Sequence, residues 1–394
     1  MGWFRMNSIT LEGSAVTPLY AKLIWLLLIL CAIVFIEPAP YDLFVLLAFG
    51  ISLFTGYLRF PAYMGLPVLL IGLFVMSNVP SMLLVSSDQN VSIKYFMVTL
   101  YLIVSWLFFA GLNNRFKETV LKVIFSGYLT AAILSTVIGL LAYFHIIPTF
   151  GVLIKYGRVT GLFKDPNVFG PFLVPGVVIS LHYMVTRYRN NMLIWMISFI
   201  LLIVGVLLSF SRAAWGNCVL ACCLYLLFPY TVSLKKKIVM ISAILLIAVP
   251  IMSVVITSPN ISSMFTDRFG IKKYDEDRFG TQQKALSQVI EHPLGIGPGQ
   301  SEILFSYATH SLYVRVLIEN GIVGFTAYIS FILLTIYRAF YNAWRRGSPY
   351  HAYFAIFGAC LVGIIFNSFF IDTLHWRHFW ILLALPWMPN SKTI

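Results

Sequence analysis

Charge is scarce in this chain, and acid is scarcer still. Only 10% of the 394 residues are charged, with 14 Asp and Glu against 27 Lys and Arg. Soluble globular domains carry about 25% charged residues. At 60% hydrophobic and a mean hydropathy of +0.88, this chain falls outside that class. Cysteine is also sparse. Cys31, Cys218, Cys222, Cys223 and Cys360 all lie in apolar stretches, with neither disulfide nor metal-ligand spacing, and read as small packing residues. No Gly-Lys-Ser/Thr follows a glycine-rich run, which excludes a Walker A phosphate loop. No cluster of His, Cys, Asp and Glu has convincing metal-ligand spacing, so neither a metal nor a cofactor is expected. Low-complexity tracts and clear internal repeats are missing too. The first apolar stretch lacks a small-residue cleavage site and reads as a signal anchor.

What the chain has is apolar length. A membrane-spanning helix needs about 20 mostly apolar residues. Pro, Gly and charge clusters divide the sequence into about twelve such stretches, near 19–36, 41–58, 63–85, 93–111, 119–145, 167–186, 191–210, 213–229, 237–257, 310–337, 350–371 and 374–388. The third, interrupted by Pro67 and Pro80, and the short last one could each be re-entrant. The expected fold is therefore all-α: one polytopic membrane domain over residues 1–394, embedded in the lipid bilayer, with about twelve transmembrane helices.

The loops between these stretches fall into two classes. With a cytoplasmic N-terminus, the inner loops hold Arg5, Lys22, Arg59, Arg115, Lys117, Lys122, Arg187, Arg189, Lys235, Lys236, Lys237, Arg338, Arg345, Arg346 and Lys392 against only Glu12 and Glu118. The outer loops hold twelve cations and twelve acids. The whole formal charge of +13 thus lies on one side, as the positive-inside rule requires. A pI near 9.5 does not point to nucleic acid, because no soluble basic domain carries it.

Four outer connections hold the residues that look chemical. The longest, 258–309, lies between the ninth and tenth stretches, and a loop of that length usually covers or builds a binding site. It contains Lys272-Lys273-Tyr274-Asp275-Glu276-Asp277-Arg278, a helix-like stretch, and the turn Pro293-Leu294-Gly295-Ile296-Gly297-Pro298-Gly299. His310 follows at the mouth of the tenth stretch, a titratable group suited to general-base work. Arg315 and Glu319, four residues apart, are expected to pair with each other. Within Gly157–Asn167, Asp165-Pro166 reads as a helix start, which does not explain Arg158 or Lys164. In the tight turn Ser209–Trp215, Arg212 sits between two apolar stretches. A charge at membrane depth costs about 2.5–3.5 kcal/mol on insertion scales and usually faces a polar cavity or partner. Arg158, Arg212, Arg278 and His310 make a sparse cationic set suited to phosphate. On the outer face, where nucleotides are absent, the natural phosphorylated substrate is a lipid-linked diphosphate.

Several of these features resemble the O-antigen ligase / O-antigen polymerase family of bacterial surface-polysaccharide enzymes. They are the helix count, the long outer loop before the antepenultimate helix, the Ser211-Arg212 turn, and the string His310-Ser311-x9-Gly321-x2-Gly324. The Gly157–Asn167 string and the Pro293–Gly299 turn fit the same picture. The resemblance covers about Gly157 to Gly324. It implies a GT-C-like protein of the bacterial inner membrane, with its active site on the periplasmic face and residues 258–309 forming part of it. The implied reaction is metal-independent, inverting glycosyl transfer from an undecaprenyl-diphosphate-linked glycan to a glycan or lipid A-core acceptor. Arg212 and Arg278 would clamp the diphosphate, and His310 would take the acceptor proton. Arg158 and Lys164 would assist the sugar or phosphate end, with Asn167 and Ser311 as further substrate-binding residues. Arg268 competes with Arg278 as the loop arginine. Polymerase and ligase both fit. The rival readings are a transporter or flippase of a lipid-linked oligosaccharide, which calls for ionisable residues deep in helices and a two-fold repeat, and a structural scaffold.

Overall fold

The structure is a computed structural model that describes residues 16–36, 38–85, 87–186, 191–228, 273–305, 309–345 and 347–390, excepting the side chains of 273–278. Its helices are α1 (Pro18–Leu30), α2 (Pro40–Phe54), α3 (Gly65–Leu83, entered through a 3-10 turn at Ala62–Met64), α4 (Gln89–Phe116) and α5 (Glu118–Tyr143). A two-stranded ribbon, β1 (Ile154–Lys155) and β2 (Arg158–Val159), precedes α6 (Pro166–Thr186), α7 (Met192–Leu208) and α8 (Arg212–Leu227). The chain continues with α9 (Lys273–Ser287), α10 (Ser301–Leu304), α11 (Leu312–Trp344), α12 (His351–Asn367) and α13 (Arg377–Ala384).

Among the described residues, five helical segments are long and apolar enough to cross a membrane: Ala62–Leu83, α4, α5, α6 and α11. Five shorter helices, α1, α2, α7, α8 and α12, are also apolar. Exposed rows such as Leu43, Leu47 and Phe54 on α2 and Leu69, Leu73 and Met76 on α3 would be costly in water and suit contact with lipid. Eleven of the twelve expected stretches contain a helix. The ninth, 237–257, and the loop from 258 to 272 lie outside the described residues.

Two expectations change. The third stretch is continuous, because Pro67 falls in the first turn of α3, where its missing N–H costs nothing, and Pro80 falls near the end. The last stretch shrinks to α13, eight residues with every side chain buried. At 1.5 Å per residue it spans about 12 Å, well short of a hydrocarbon core of about 30 Å. Its apolar run is matched to neighbouring helices rather than to lipid.

Helix starts follow local chemistry. Thr17 Oγ1 accepts the Tyr20 N–H ahead of Pro18, and Asp88 Oδ1 accepts the Asn90 N–H at 2.9 Å. Ser211 caps α8 by accepting the Ala214 N–H.

Contacts between helices sort the loop charges by end. At one end, Tyr63 bonds Asn114, Arg338 donates to the Pro386 and Met388 carbonyls, and Tyr353 donates to Glu118. That end also holds Arg115, Lys117, Lys122 and Arg345, with Glu118 the acid among them. At the other end, Leu312 N–H bonds the Ser368 carbonyl, Val34 N–H bonds the Leu162 carbonyl, and Gly216 packs on Phe366. The buried charged residues Asp42, Arg158, Arg315, Glu319 and Arg377 all sit at this second end.

Candidate functional site

The site is built from three pieces at that second end. The first is the ribbon and the turn into α8. Tyr156 and Gly157 have φ of 52° and 70°, the left-handed pair of a two-residue hairpin, which pairs Lys155 with Arg158. The hairpin sends Arg158 inward, 6% exposed. Its Nε donates to the Ser209 carbonyl at 2.8 Å and an Nη to Asn167 Oδ1 at 2.7 Å. Asn167 is itself fixed, because its N–H bonds Asp165 Oδ1 at 2.7 Å in the expected cap ahead of Pro166. Gly170 lets α6 lie against the turn, since a Cβ there would meet Ser209 Oγ at 2.6 Å. Phe210 then takes φ 46°, and Arg212 emerges exposed as the first residue of α8. Lys164 is exposed on the connection between β2 and α6.

The second piece is the strap carrying His310. Gln282 on α9 donates to the Thr309 carbonyl at 2.8 Å. His310 is half-buried at φ 45°, in the left-handed region. Ser311, buried, occupies the N-cap of α11, where its carbonyl accepts the Arg315 N–H. Ser368, which holds Leu312, is itself bonded through Oγ to Thr373 at 2.7 Å.

One turn further along α11, Arg315 makes the expected pair with Glu319, Nε to Oε2 at 3.2 Å. It also reaches Glu302 at 3.0 Å and Asp372 at 2.7 Å, and lies over the Tyr95 ring at 4.8 Å. Burial would raise the Asp372 carboxyl, but Arg315 and His375 outweigh it and hold the group below its usual range. His375 contacts Thr99 at 3.1 Å, and the Thr99 hydroxyl already donates to the Tyr95 carbonyl at 3.0 Å. His375 must therefore be the donor, through Nε2–H. A second buried pair, Arg377 with both oxygens of Asp42 at 2.6 Å, ties the start of α13 to the start of α2.

The third piece is a break in α11. Gly321 has φ 70° and ψ −175°, which frees the carbonyls of the preceding turn. The Pro293–Gly299 turn enters this break. Ile296 and Gly297 donate to the Ile318 and Glu319 carbonyls at 2.9 and 3.0 Å, while Ile322 donates to the Pro293 carbonyl at 3.0 Å. The Glu319 carboxylate accepts from Gly299 N–H at 2.9 Å and Ser301 Oγ at 2.5 Å. Non-helical backbone at such a place is tolerated when protein groups satisfy it. Gly324 serves a different need, close approach to Ser77 on α3. Both glycines of the His310–Gly324 string thus have physical reasons. Gly321→Ala should lower stability by about 3 kcal/mol or more, because φ and ψ there suit glycine alone and the new Cβ would lie 2.4 Å from the Pro293 carbonyl oxygen. A drop in the thermal midpoint of the detergent-solubilised protein would show it, and an unchanged midpoint would contradict it.

α9 covers the outer half of α11 through a small core of Ala285, Ile296, Val314 and Ile318. Arg278 lies on α9, but its side chain is outside the described residues, as is the whole of Arg268. The structure therefore joins Arg158 to Asn167 beside the Arg212 turn, and sets His310 and Ser311 directly ahead of the Arg315 cluster. Sequence reasoning passed over the convergence of Glu302 and Asp372 on Arg315, whose acids lie 13 and 57 residues from it. It also passed over an Asp-x-Asp string, Asp275-Glu276-Asp277, whose side chains lie outside the described residues. Among the described residues no group of three His, Cys, Asp or Glu could hold a metal ion.

Residues 197–329 match the family model described as O-antigen ligase. The matched stretch begins inside α7 and ends just past Gly324. It includes Arg212, Arg278, His310 and Ser311, and leaves out Arg158, Lys164 and Asn167. No curated protein matches the chain.

Proposed function

We propose, from the match of residues 197–329 to the O-antigen ligase family model, that this membrane protein has a ligase-type function in polysaccharide assembly and catalyses a specific reaction. The protein is an inverting, metal-independent glycosyltransferase of the bacterial inner membrane that works at the extracytoplasmic face. Its donor is an undecaprenyl-diphosphate-linked glycan. Its acceptor is the hydroxyl of a second glycan or of a lipid A-core. The acceptor oxygen attacks the anomeric carbon, the bond from that carbon to the phosphate oxygen breaks on the opposite side, and undecaprenyl diphosphate leaves with the electron pair.

His310 takes the acceptor proton, with Ser311 beside it to hold the hydroxyl. Arg212 and Arg278 bind the diphosphate and stabilise the negative charge that grows on it. Lys164 adds positive potential from the neighbouring connection. Arg158 and Asn167 serve this site by holding the Ser209–Arg212 turn in place. The observation that carries the reading is that all the buried charged residues described lie at the end that presents Arg212 and His310. Buried charge costs desolvation and is not needed to hold apolar helices together. Here Arg158 braces the turn that bears the exposed Arg212, and the Arg315 cluster braces the start of the helix that follows half-buried His310.

Reconstitution tests the reading. The purified protein is supplied with undecaprenyl-diphosphate oligosaccharide and chelator, with and without lipid A-core. A ladder of longer lipid-linked glycan identifies a polymerase, and a product formed only with the added acceptor identifies a ligase. No new glycosidic bond in either arm would contradict the proposal and leave the transporter reading.

The role given to Arg158 has its own test. Arg158→Lys keeps the charge but loses the planar fork that spans Ser209 and Asn167. It should lower kcat about 10-fold to 100-fold through displacement of the turn, with KM for the donor changed less. A raised donor KM at unchanged kcat would instead assign Arg158 to direct substrate contact.

A further inference from the structure

A cavity of about 260 Å³ lies between the loop joining α3 to α4 and the turn that follows α9. Its polar lining is Ser87, Gln288, His292 and Gln300. Gln300 is a fixed floor. Its amide donates to the Asp88 carbonyl and to Ser92 Oγ, each at 2.8 Å, and its oxygen accepts from Ser87. Gln288 and His292 are one helical turn apart, with the His292 N–H bonded to the Gln288 carbonyl, so both side chains fall on one face. Neither side chain has a hydrogen-bond partner among the described residues, although both line the cavity. Leu84, Ile296 and Phe305 supply the apolar part. No charged side chain lines it.

We propose that this cavity is a subsite for one neutral sugar ring of the glycan. Its volume lies below the roughly 300–1,000 Å³ of pockets for drug-sized ligands, so it suits one ring rather than several. An amide offers one donor and one acceptor in a plane, matched to neighbouring hydroxyls, and imidazole adds a further donor or acceptor. The apolar side chains face the C–H surface of the ring. The lack of charge rules against the diphosphate, which belongs with the arginines. Ile296 also bonds the break in α11, so the cavity wall is continuous with the helix that follows His310. The assignment of the ring to a transferred or accepting glycan rests on the proposed reaction, but the binding itself does not.

Saturation-transfer NMR on the full-length protein in lipid nanodiscs tests it, with sugar-headed detergents kept out. The probes are methyl glycosides of glucose, galactose, mannose, rhamnose and N-acetylglucosamine, with inorganic pyrophosphate as competitor. At least one glycoside should receive saturation that pyrophosphate does not displace. Gln288→Ala with His292→Ala should weaken it about tenfold or more, and Leu84→Trp, which fills the cavity, should abolish it. Arg212→Ala should leave it intact. The proposal is overturned if no glycoside receives saturation, or if the signal survives both the double variant and Leu84→Trp. Sugar binding without any transfer activity would keep the subsite and remove the proposed reaction, and transfer without sugar binding would do the reverse. Where transfer is measured, the Gln288 and His292 variants should raise KM for whichever substrate supplies the ring, donor or acceptor. A change in kcat alone would count against the subsite.

Discussion

Arg315→Ala is expected to destabilise the protein by about 3–5 kcal/mol, the cost of leaving buried charges without their partner. Arg315 is 5% exposed and is shared by Glu302, Glu319 and Asp372. Removing it sets three carboxylates facing one another with no common cation. It also removes the guanidinium from the Tyr95 ring. The exposed pair of Lys122 and Glu118, at 2.9 Å, is the useful contrast. Pairs of that kind contribute about 0.3–0.5 kcal/mol, so Lys122→Ala should barely move the thermal midpoint. Arg315→Lys should fall between the two, because one ammonium cannot present a fork to three acids. Adding Asp372→Asn to Arg315→Ala should restore part of the loss, since the pair is in direct contact and non-additive. An Arg315→Ala protein as stable as wild type would show that the cluster does not brace this end of the bundle.

His310→Ala should reduce glycan transfer by about 10²–10⁴, the range for a lost general base. The backbone offers a way to separate chemistry from structure. A non-glycine residue at φ 45° carries strain of about 1–3 kcal/mol, and glycine would relieve it. His310→Gly is therefore expected to be more stable than His310→Ala while losing transfer as fully. If His310 were only a structural strap residue, His310→Gly would keep activity in proportion to its stability. That outcome would remove His310 from the reaction.

Most of the helices were legible in the sequence because long apolar runs have few alternatives in a chain this poor in charge. α13 was not, since an apolar run reads the same whether it faces lipid or packs inside a bundle. Burial of all eight of its side chains is a fact of tertiary contact. The pairing of Arg315 with Glu319 followed from helical spacing, but Glu302 and Asp372 reach the same guanidinium only because the chain folds back. The ribbon that buries Arg158 has two residues per strand, too few for any alternating pattern. Gly321 and Gly324 stood out as a string, yet one breaks a helix for a turn some 25 residues upstream and the other lets α11 approach α3. Nothing in their spacing separates those two purposes.

The measurement closest to the central claim is transfer by Arg212→Ala in the reconstituted system, with undecaprenyl-diphosphate oligosaccharide as donor and insertion verified. Arg212 stands exposed at the start of α8 on a turn held by Arg158, and loss of a comparable charge-stabilising donor costs about 10²–10³ in rate. The expected result is a correctly inserted protein whose rate falls by that factor, with Arg212→Lys recovering only part of it. Transfer at near wild-type rate by the inserted Arg212→Ala protein would contradict the assignment of this end of the bundle as a diphosphate-glycan transfer site.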